Sequence, residues 1–309
     1  MKSRVIGFGI VVLLAAALFL GAKGIITDNN NENFPEPEVR IVTNTSDADE
    51  NMELPENYSI LKKQKGFSYA KAERITYHSD VTGREKHAKV LLPADYDPDS
   101  KYPVLYLLHG YGGSDQTWLN KDADIILQNL HYMEDAPEMV VVFPNCIVSE
   151  TEDADDMSFW ETVPLFNLTE PELMGSLMPY INEHYSVYTD KEHTAIAGNS
   201  MGGRNSLYIA FSHQDVFGYV GAFSAANILP SSYGIELLDH FELDKEQDAF
   251  RLLFLNVGRE DDTCGESTYQ IDEDMKQNQI PHICYDMNGE HENVVWQNAL
   301  YNFGKRIFK

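Results

Sequence analysis

The chain has 309 residues, with 23 Lys and Arg against 49 Asp and Glu. The resulting formal charge of −26 at pH 7 repels nucleic-acid phosphates and anionic lipid headgroups, so nucleic acid is excluded as a partner. A hydrophobic share of 43% and an aromatic share of 11% are those of a folded globular chain and exclude a fibrous or largely disordered one.

The chain opens with the charged start Met1-Lys2-Ser3-Arg4 and a continuous apolar run over 5–22, the pattern of an export signal. Gly21, Ala22 and Gly24 favour cleavage, while the length of the run also suits an uncleaved membrane anchor. Segment 1–27 is therefore expected to be a signal peptide or a membrane tether. Either role puts the body outside the cytoplasm, secreted or held at the outer face of the cytoplasmic membrane. Residues 28–56 are rich in Asn, Glu, Asp and Pro and read as a disordered acidic linker. The acidic stretches 47–50 and 150–156 lack the glycine of a calcium loop and read as solvated surface.

From residue 57 to 309 the pattern is strand, strand, then strands alternating with helices, which predicts an α/β fold with a mainly parallel sheet covered on both faces. Short apolar runs at 88–92, 104–108, 139–143, 194–197, 219–223 and 252–257 read as buried strands. Helical patterns cover 123–133, 170–183, 205–212, 270–277 and 295–308. Residues 150–168 show neither period and read as an insertion over the end of the sheet that carries the site. Three cysteines, Cys146, Cys264 and Cys284, cannot all pair. Buried free thiols are the default reading, with a Cys264 to Cys284 bridge left open. No Cys and His spacing supports a structural metal site.

The strongest local signal is Gly198-Asn199-Ser200-Met201-Gly202, placed between a predicted strand and a predicted helix. Such a tight turn needs residues without a Cβ on either side, and it lifts a serine hydroxyl from the sheet edge. It also sets the Met201 N–H, near a helix N-terminus, where an oxyanion would develop. Upstream, His109-Gly110-Tyr111-Gly112-Gly113 follows a strand, and the Tyr111 N–H is the expected second oxyanion donor, with His109 structural. A serine hydroxyl needs an imidazole base, and that base needs a carboxylate. The strand at 252–257 runs into Gly258-Arg259-Glu260-Asp261-Asp262, so Asp261 is the expected acid, with Glu260 and Asp262 as adjacent rivals. Among His240, His282 and His291, only His291 falls in a loop between the last strand and the last helix. Phe159 and Trp160 could stack on a phenolic ring or a sugar, against the simpler reading that they pack.

The stretch 173–185, the elbow at 198–203, the loop at 109–113 and the segment Gly289 to His291 with Trp296 together resemble the esterase D family. That family includes xylanase-associated feruloyl esterases, S-formylglutathione hydrolases and mycobacterial mycolyltransferases, and the resemblance covers residues 67–308. It implies an α/β-hydrolase fold, no cofactor, and a Ser-Asp-His triad carried onto Ser200, Asp261 and His291. It also implies ester hydrolysis through an acyl-enzyme. With export, this points to feruloyl or acetyl esters on plant cell-wall polysaccharide rather than a cytosolic thioester. An acyltransferase of the same fold and a catalytically silent carbohydrate-binding surface protein are the alternatives. Asn199 departs from the hydrophobic residue often found before the nucleophile, and 150–168 matches no part of the family pattern.

Overall fold

The computed structural model describes residues 38–309 apart from 54, 55, 153, 155, 232 and 233. The expected export segment, and the linker up to residue 37, lie outside the described residues. The first element is a strand, β1 (Val39–Asn44), which pairs antiparallel with the last strand. Composition placed these residues in a disordered linker. The pattern Val39, Ile41, Thr43 turns one side toward the body, and an edge strand needs only that side apolar. The compact unit accordingly runs from Pro37 to Lys309, beginning before residue 57.

A hairpin follows, β2 (Glu73–Ser79) and β3 (Arg84–Leu91), then β4 (Val104–Leu108), α1 (Ala123–Glu134) and β5 (Val140–Pro144). The remaining strands are β6 (Thr194–Asn199), β7 (Tyr219–Phe223), β8 (Leu252–Gly258) and β9 (Ile283–Met287). The sheet order is β1-β9-β8-β7-β6-β4-β5-β3-β2. The six strands from β9 to β5 in that order are parallel, and β1, β3 and β2 add antiparallel margins. This is the expected α/β-hydrolase arrangement. The parallel strands are buried at every position and mostly apolar, because successive side chains enter two different cores. In β4, Leu105 and Leu107 join one cluster with Leu130, Ala299 and Phe303. Val104, Tyr106 and Leu108 join the other with Ile181, Leu207 and Ile271. Each such fully buried side chain contributes roughly 1.5–3 kcal/mol, which holds helices on both faces.

Residues 150–168 are partly helical: α2 spans Phe159–Asn167. The signal for it is Ser158-Phe159-Trp160-Glu161, since the Ser158 backbone N–H donates to Glu161 Oε2 at 2.9 Å in a capping box. Glu152, read as solvated, is instead mostly buried. It takes the Lys86 ammonium at 3.2 Å and the His87 ring at 2.6 Å, because a buried lysine on β3 needs an anion beside it. The single helix expected over 170–183 is divided into α3 (Thr169–Glu172), a π turn at Leu173–Leu177 and α4 (Met178–His184). Pro179 has no N–H for the carbonyl one turn back, so the helix widens ahead of it. Two further helices, α5 (Met201–Ser212) and α6 (Gly265–Gln277), start several residues before their apolar periods, and α7 (Asn293–Gly304) closes the chain.

Candidate active site

Ser200 stands between β6 and α5 with φ 55° and ψ −122°, a strained backbone that a non-glycine residue holds only when its surroundings enforce it. The enforcement is visible at its neighbours. A Cβ at Gly198 would lie 2.7 Å from the Leu108 carbonyl oxygen, and one at Gly202 only 2.4 Å from it. The turn is thus wedged against the end of β4. There, a Cβ at Gly110 would meet the Ser200 Cβ at 3.0 Å, which puts the Gly110-Tyr111 backbone beside the serine. Met201 is the first residue of α5, where backbone N–H groups have no partner within the helix and the helix dipole is positive.

His109 is buried and serves the loop. Its Nδ1 donates to the Gly110 carbonyl at 2.7 Å and its Nε2 accepts the Cys146 N–H at 2.9 Å. Burial pushes its pKa down to about 4, so the ring is neutral and both contacts persist.

Asp261 follows β8, and its side chain is fully buried. Oδ1 accepts the N–H groups of Thr263 at 3.0 Å and Cys264 at 2.7 Å, and Oδ2 receives His291 Nδ1 at 2.8 Å. Burial alone would push this carboxyl up. The His291 bond and charge and the Cys264 N–H outweigh it and hold the carboxyl below its ordinary value. The rivals are occupied otherwise: Glu260 Oε2 accepts the Gly289 N–H at 2.6 Å, and Asp262 accepts the Thr263 hydroxyl at 3.4 Å. His282 is buried against Asp272 at 3.0 Å, and His240 is exposed beside Glu242. The structure therefore joins Asp261 with His291 and leaves the other candidates outside the pair.

Ser200 and His291 form no direct hydrogen bond. The Ser200 Oγ lies 4.0 Å from Cys264 Sγ, and the Cys264 backbone holds Asp261. Such contacts in an enzyme without substrate are often long and tighten when substrate binds. Cys264 escaped the sequence reading as a site neighbour, although its position three residues after Asp261 was the available signal. All three cysteines are free and buried, so the Cys264 to Cys284 bridge is not formed.

Phe159 meets the Tyr111 ring at 5.3 Å and the Trp160 ring at 5.3 Å, which gives a short aromatic ridge leading from the Gly110 loop to solvent. Trp160 is 60% exposed. The ridge is pinned to the elbow helix, because Asn205 Nδ2 donates to the Phe166 carbonyl at 2.6 Å and the buried Arg204 donates to Asn167 Oδ1 at 2.9 Å. Among the described residues no group of three or more His, Cys, Asp and Glu could hold a metal ion.

The chain matches the Esterase family model, described as "Putative esterase", over residues 79–306. It is 25% identical over 253 residues to the endo-1,4-beta-xylanase/feruloyl esterase of Xylanibacter ruminicola, a match covering 80% of this chain and 32% of the relative. It is 26% identical over 165 residues to an esterase of Mycobacterium tuberculosis, covering 52% of this chain and 33% of that protein. The chain thus spans about a third of the length of the curated relatives it matches. Among solved structures it is similar to a CE1 ferulic acid esterase of Anaeromyces mucronatus, determined without substrate and in complex with ferulic acid. The TM-score is 0.74 and the identity 32%, over 81% of this chain and 95% of that one. With the family model spanning the sheet from the end of β2 to α7, this chain belongs to the esterase family.

Proposed function

We propose that the protein is a serine carboxylic-ester hydrolase working through an acyl-enzyme on feruloyl esters of plant cell-wall polysaccharide. The observation that carries the reading is one shared carboxylate. Asp261 holds His291 through one oxygen and the backbone of Cys264 through the other, and the Cys264 sulfur lies 4.0 Å from the Ser200 hydroxyl. On this reading three distant loops supply nucleophile, base and acid.

In this mechanism His291 takes the Ser200 proton as Oγ bonds to the ester carbonyl carbon. The N–H groups of Tyr111 and Met201 hold the negative oxygen. His291 then returns the proton to the departing sugar hydroxyl as the acyl-oxygen bond breaks. Water, deprotonated by the same ring, attacks the acyl-enzyme, and Ser200 recovers its proton as the free acid leaves. Asp261 keeps its charge throughout and fixes the imidazole tautomer. The aromatic ridge of Tyr111, Phe159 and Trp160 gives a phenolic acyl group a surface to stack on. Feruloyl chemistry is supported by the name of the Xylanibacter relative and by the ferulic acid bound to the Anaeromyces enzyme. We place the body outside the cytoplasm on the charge and apolar pattern of 1–22, where a polymer-linked ester is within reach.

Hydrolysis of methyl ferulate, together with covalent labelling by a fluorophosphonate, tests the reading. Ser200→Ala is expected to lose the label and at least about three orders of magnitude in kcat while keeping its fold. A Ser200→Ala protein with near-normal turnover overturns it.

A further inference from the structure

Trp296 lies beside His291 with Lys121 over its ring, and neither takes part in the mechanism above. Lys121, in the turn before α1, is 8% exposed, and Trp296, in the first turns of α7, is 9% exposed. The Lys121 ammonium stands 5.0 Å from the Trp296 ring centroid and 5.6 Å from that of Trp118. The Trp296 ring meets the His291 imidazole edge to face at 5.0 Å. Gln297 Nε2 donates to the Lys121 carbonyl at 3.0 Å, which fixes the two side chains' helices relative to each other.

Indole faces attract a cation through their quadrupole, but they offer its N–H groups no oxygen. Among the described residues the Lys121 ammonium makes no hydrogen bond or ion pair and keeps only a narrow contact with solvent, while the fully enclosed Trp296 Nε1 has no acceptor. Burial pushes the Lys121 ammonium down to about 8 with no carboxylate to offset it. The adjacent Asp122 is itself pushed up, by burial and by Asp124, and not drawn down by Lys121. Folded proteins rarely leave a buried donor such as the Trp296 N–H unanswered, and Lys121 and Trp296 stand at the N-terminal ends of α1 and α7, where the helix dipoles favour an anion.

We propose that Lys121 and the Trp296 indole N–H form a binding site for a carboxylate group. One ammonium balances one negative charge, and the indole N–H serves the second oxygen. A dianionic phosphate would keep an excess charge in a poorly solvated corner of a chain that already carries −26. A neutral hydroxyl would leave the ammonium uncompensated. On the ester-hydrolase reading, on which this last step rests, His291 protonates the departing alcohol, so the neighbouring carboxylate belongs to the alcohol portion of the substrate, as on a sugar acid.

The full chain, labelled with nitrogen-15, has three indole N–H resonances, from Trp118, Trp160 and Trp296, assigned by Trp→Phe variants. Sodium glucuronate is expected to shift the Trp296 resonance saturably, while glucose leaves it in place. Lys121→Met should weaken the glucuronate response about tenfold or more, and Lys121→Arg should keep it within a few-fold. The same titration on Ser200→Ala separates the two readings, because lost turnover there concerns ester hydrolysis and the indole shift concerns this site alone. An unmoved Trp296 resonance, an equal shift with glucose or with chloride at matched ionic strength, or unchanged affinity in folded Lys121→Met overturns the proposal. Should Lys121→Met not fold, the native titration and Lys121→Arg decide.

Discussion

The Arg259 guanidinium donates to Asn288 Oδ1 at 2.6 Å, and this contact ties the loop that carries Asp261 to the loop that carries His291. Arg259 also donates to the fully buried Asp286 at 3.0 Å and to the Glu38 carbonyl at 2.8 Å, so the chain leading into β1 shares the anchor. Backbone bonds continue the seam, from the Arg259 N–H to the Met287 carbonyl at 2.7 Å and from the Glu260 N–H to the Gly289 carbonyl at 3.0 Å. Small displacements of a catalytic pair cost rate more than binding. Arg259→Gln is therefore expected to lower kcat for an aryl ester about tenfold or more with a much smaller change in KM, and Arg259→Lys to recover part of the loss. Steady-state kinetics on the three proteins checks this, and an unchanged kcat in Arg259→Gln removes the positioning role.

Asp261→Asn keeps the shape of the side chain but presents a donor or a weaker acceptor to His291 Nδ1, which now meets Oδ2 at 2.8 Å. In serine proteases the equivalent change costs about four orders of magnitude in kcat, and a loss of about that size is expected here. The carboxyl is held below its ordinary value in the fold. Its stabilising contribution is thus complete above the unfolded carboxyl pKa of about 3.9 and is lost as pH falls through the lower folded value. Denaturant titrations between pH 2 and 5 should show the native protein losing more stability than Asp261→Asn over that window.

His109 gives a second pH dependence at a milder range. Burial lowers its pKa from 6.5 to about 4, so on acidification the unfolded chain takes up a proton that the folded ring refuses. Stability from this group is complete above about pH 6.5 and declines as pH falls to about 4, by about 3 kcal/mol in all. Urea unfolding at a series of pH values is expected to show this slope in the native protein and its loss in His109→Gln. Equal slopes in the two proteins would refute the assignment.

A methyl group at Gly202 would stand 2.4 Å from the Leu108 carbonyl oxygen and 2.6 Å from that of His109. Both obstacles are backbone at the end of a central strand, so neither side can yield cheaply. Gly202→Ala is expected to lower Tm by about 5 °C or more and to reduce ester turnover sharply, since the elbow and the Tyr111 loop move together. Calorimetry alongside the methyl ferulate assay measures both effects.

Trp160, with most of its surface in solvent and its ring against Phe159, contributes little to the fold. If it stacks on a phenolic acyl group, Trp160→Ala should raise KM for methyl ferulate several-fold, worth about 1 kcal/mol, and leave that for a short acetyl ester and the Tm unchanged. A parallel change with both esters would assign Trp160 to something other than the acyl group.

The sequence by itself determined the strand and helix alternation, because parallel strands buried on both faces read as short, mostly apolar runs and the crossovers that join them are helices. It also determined the elbow, since Gly198 and Gly202 beside Ser200 report backbone that no Cβ can approach. It placed Asp261 and His291 by their loops, which follow β8 and β9. Only the tertiary structure decided how those loops are joined, through Arg259 and Asn288, because contacts between residues far apart in sequence leave no local pattern. The same holds for β1, a short apolar alternation inside a polar stretch, which becomes a strand when β9 offers it an edge. It holds too for Glu152, an acid drawn inside by Lys86 and His87, and for Lys121, whose solitary burial between two tryptophans appears only when α1 and α7 come together.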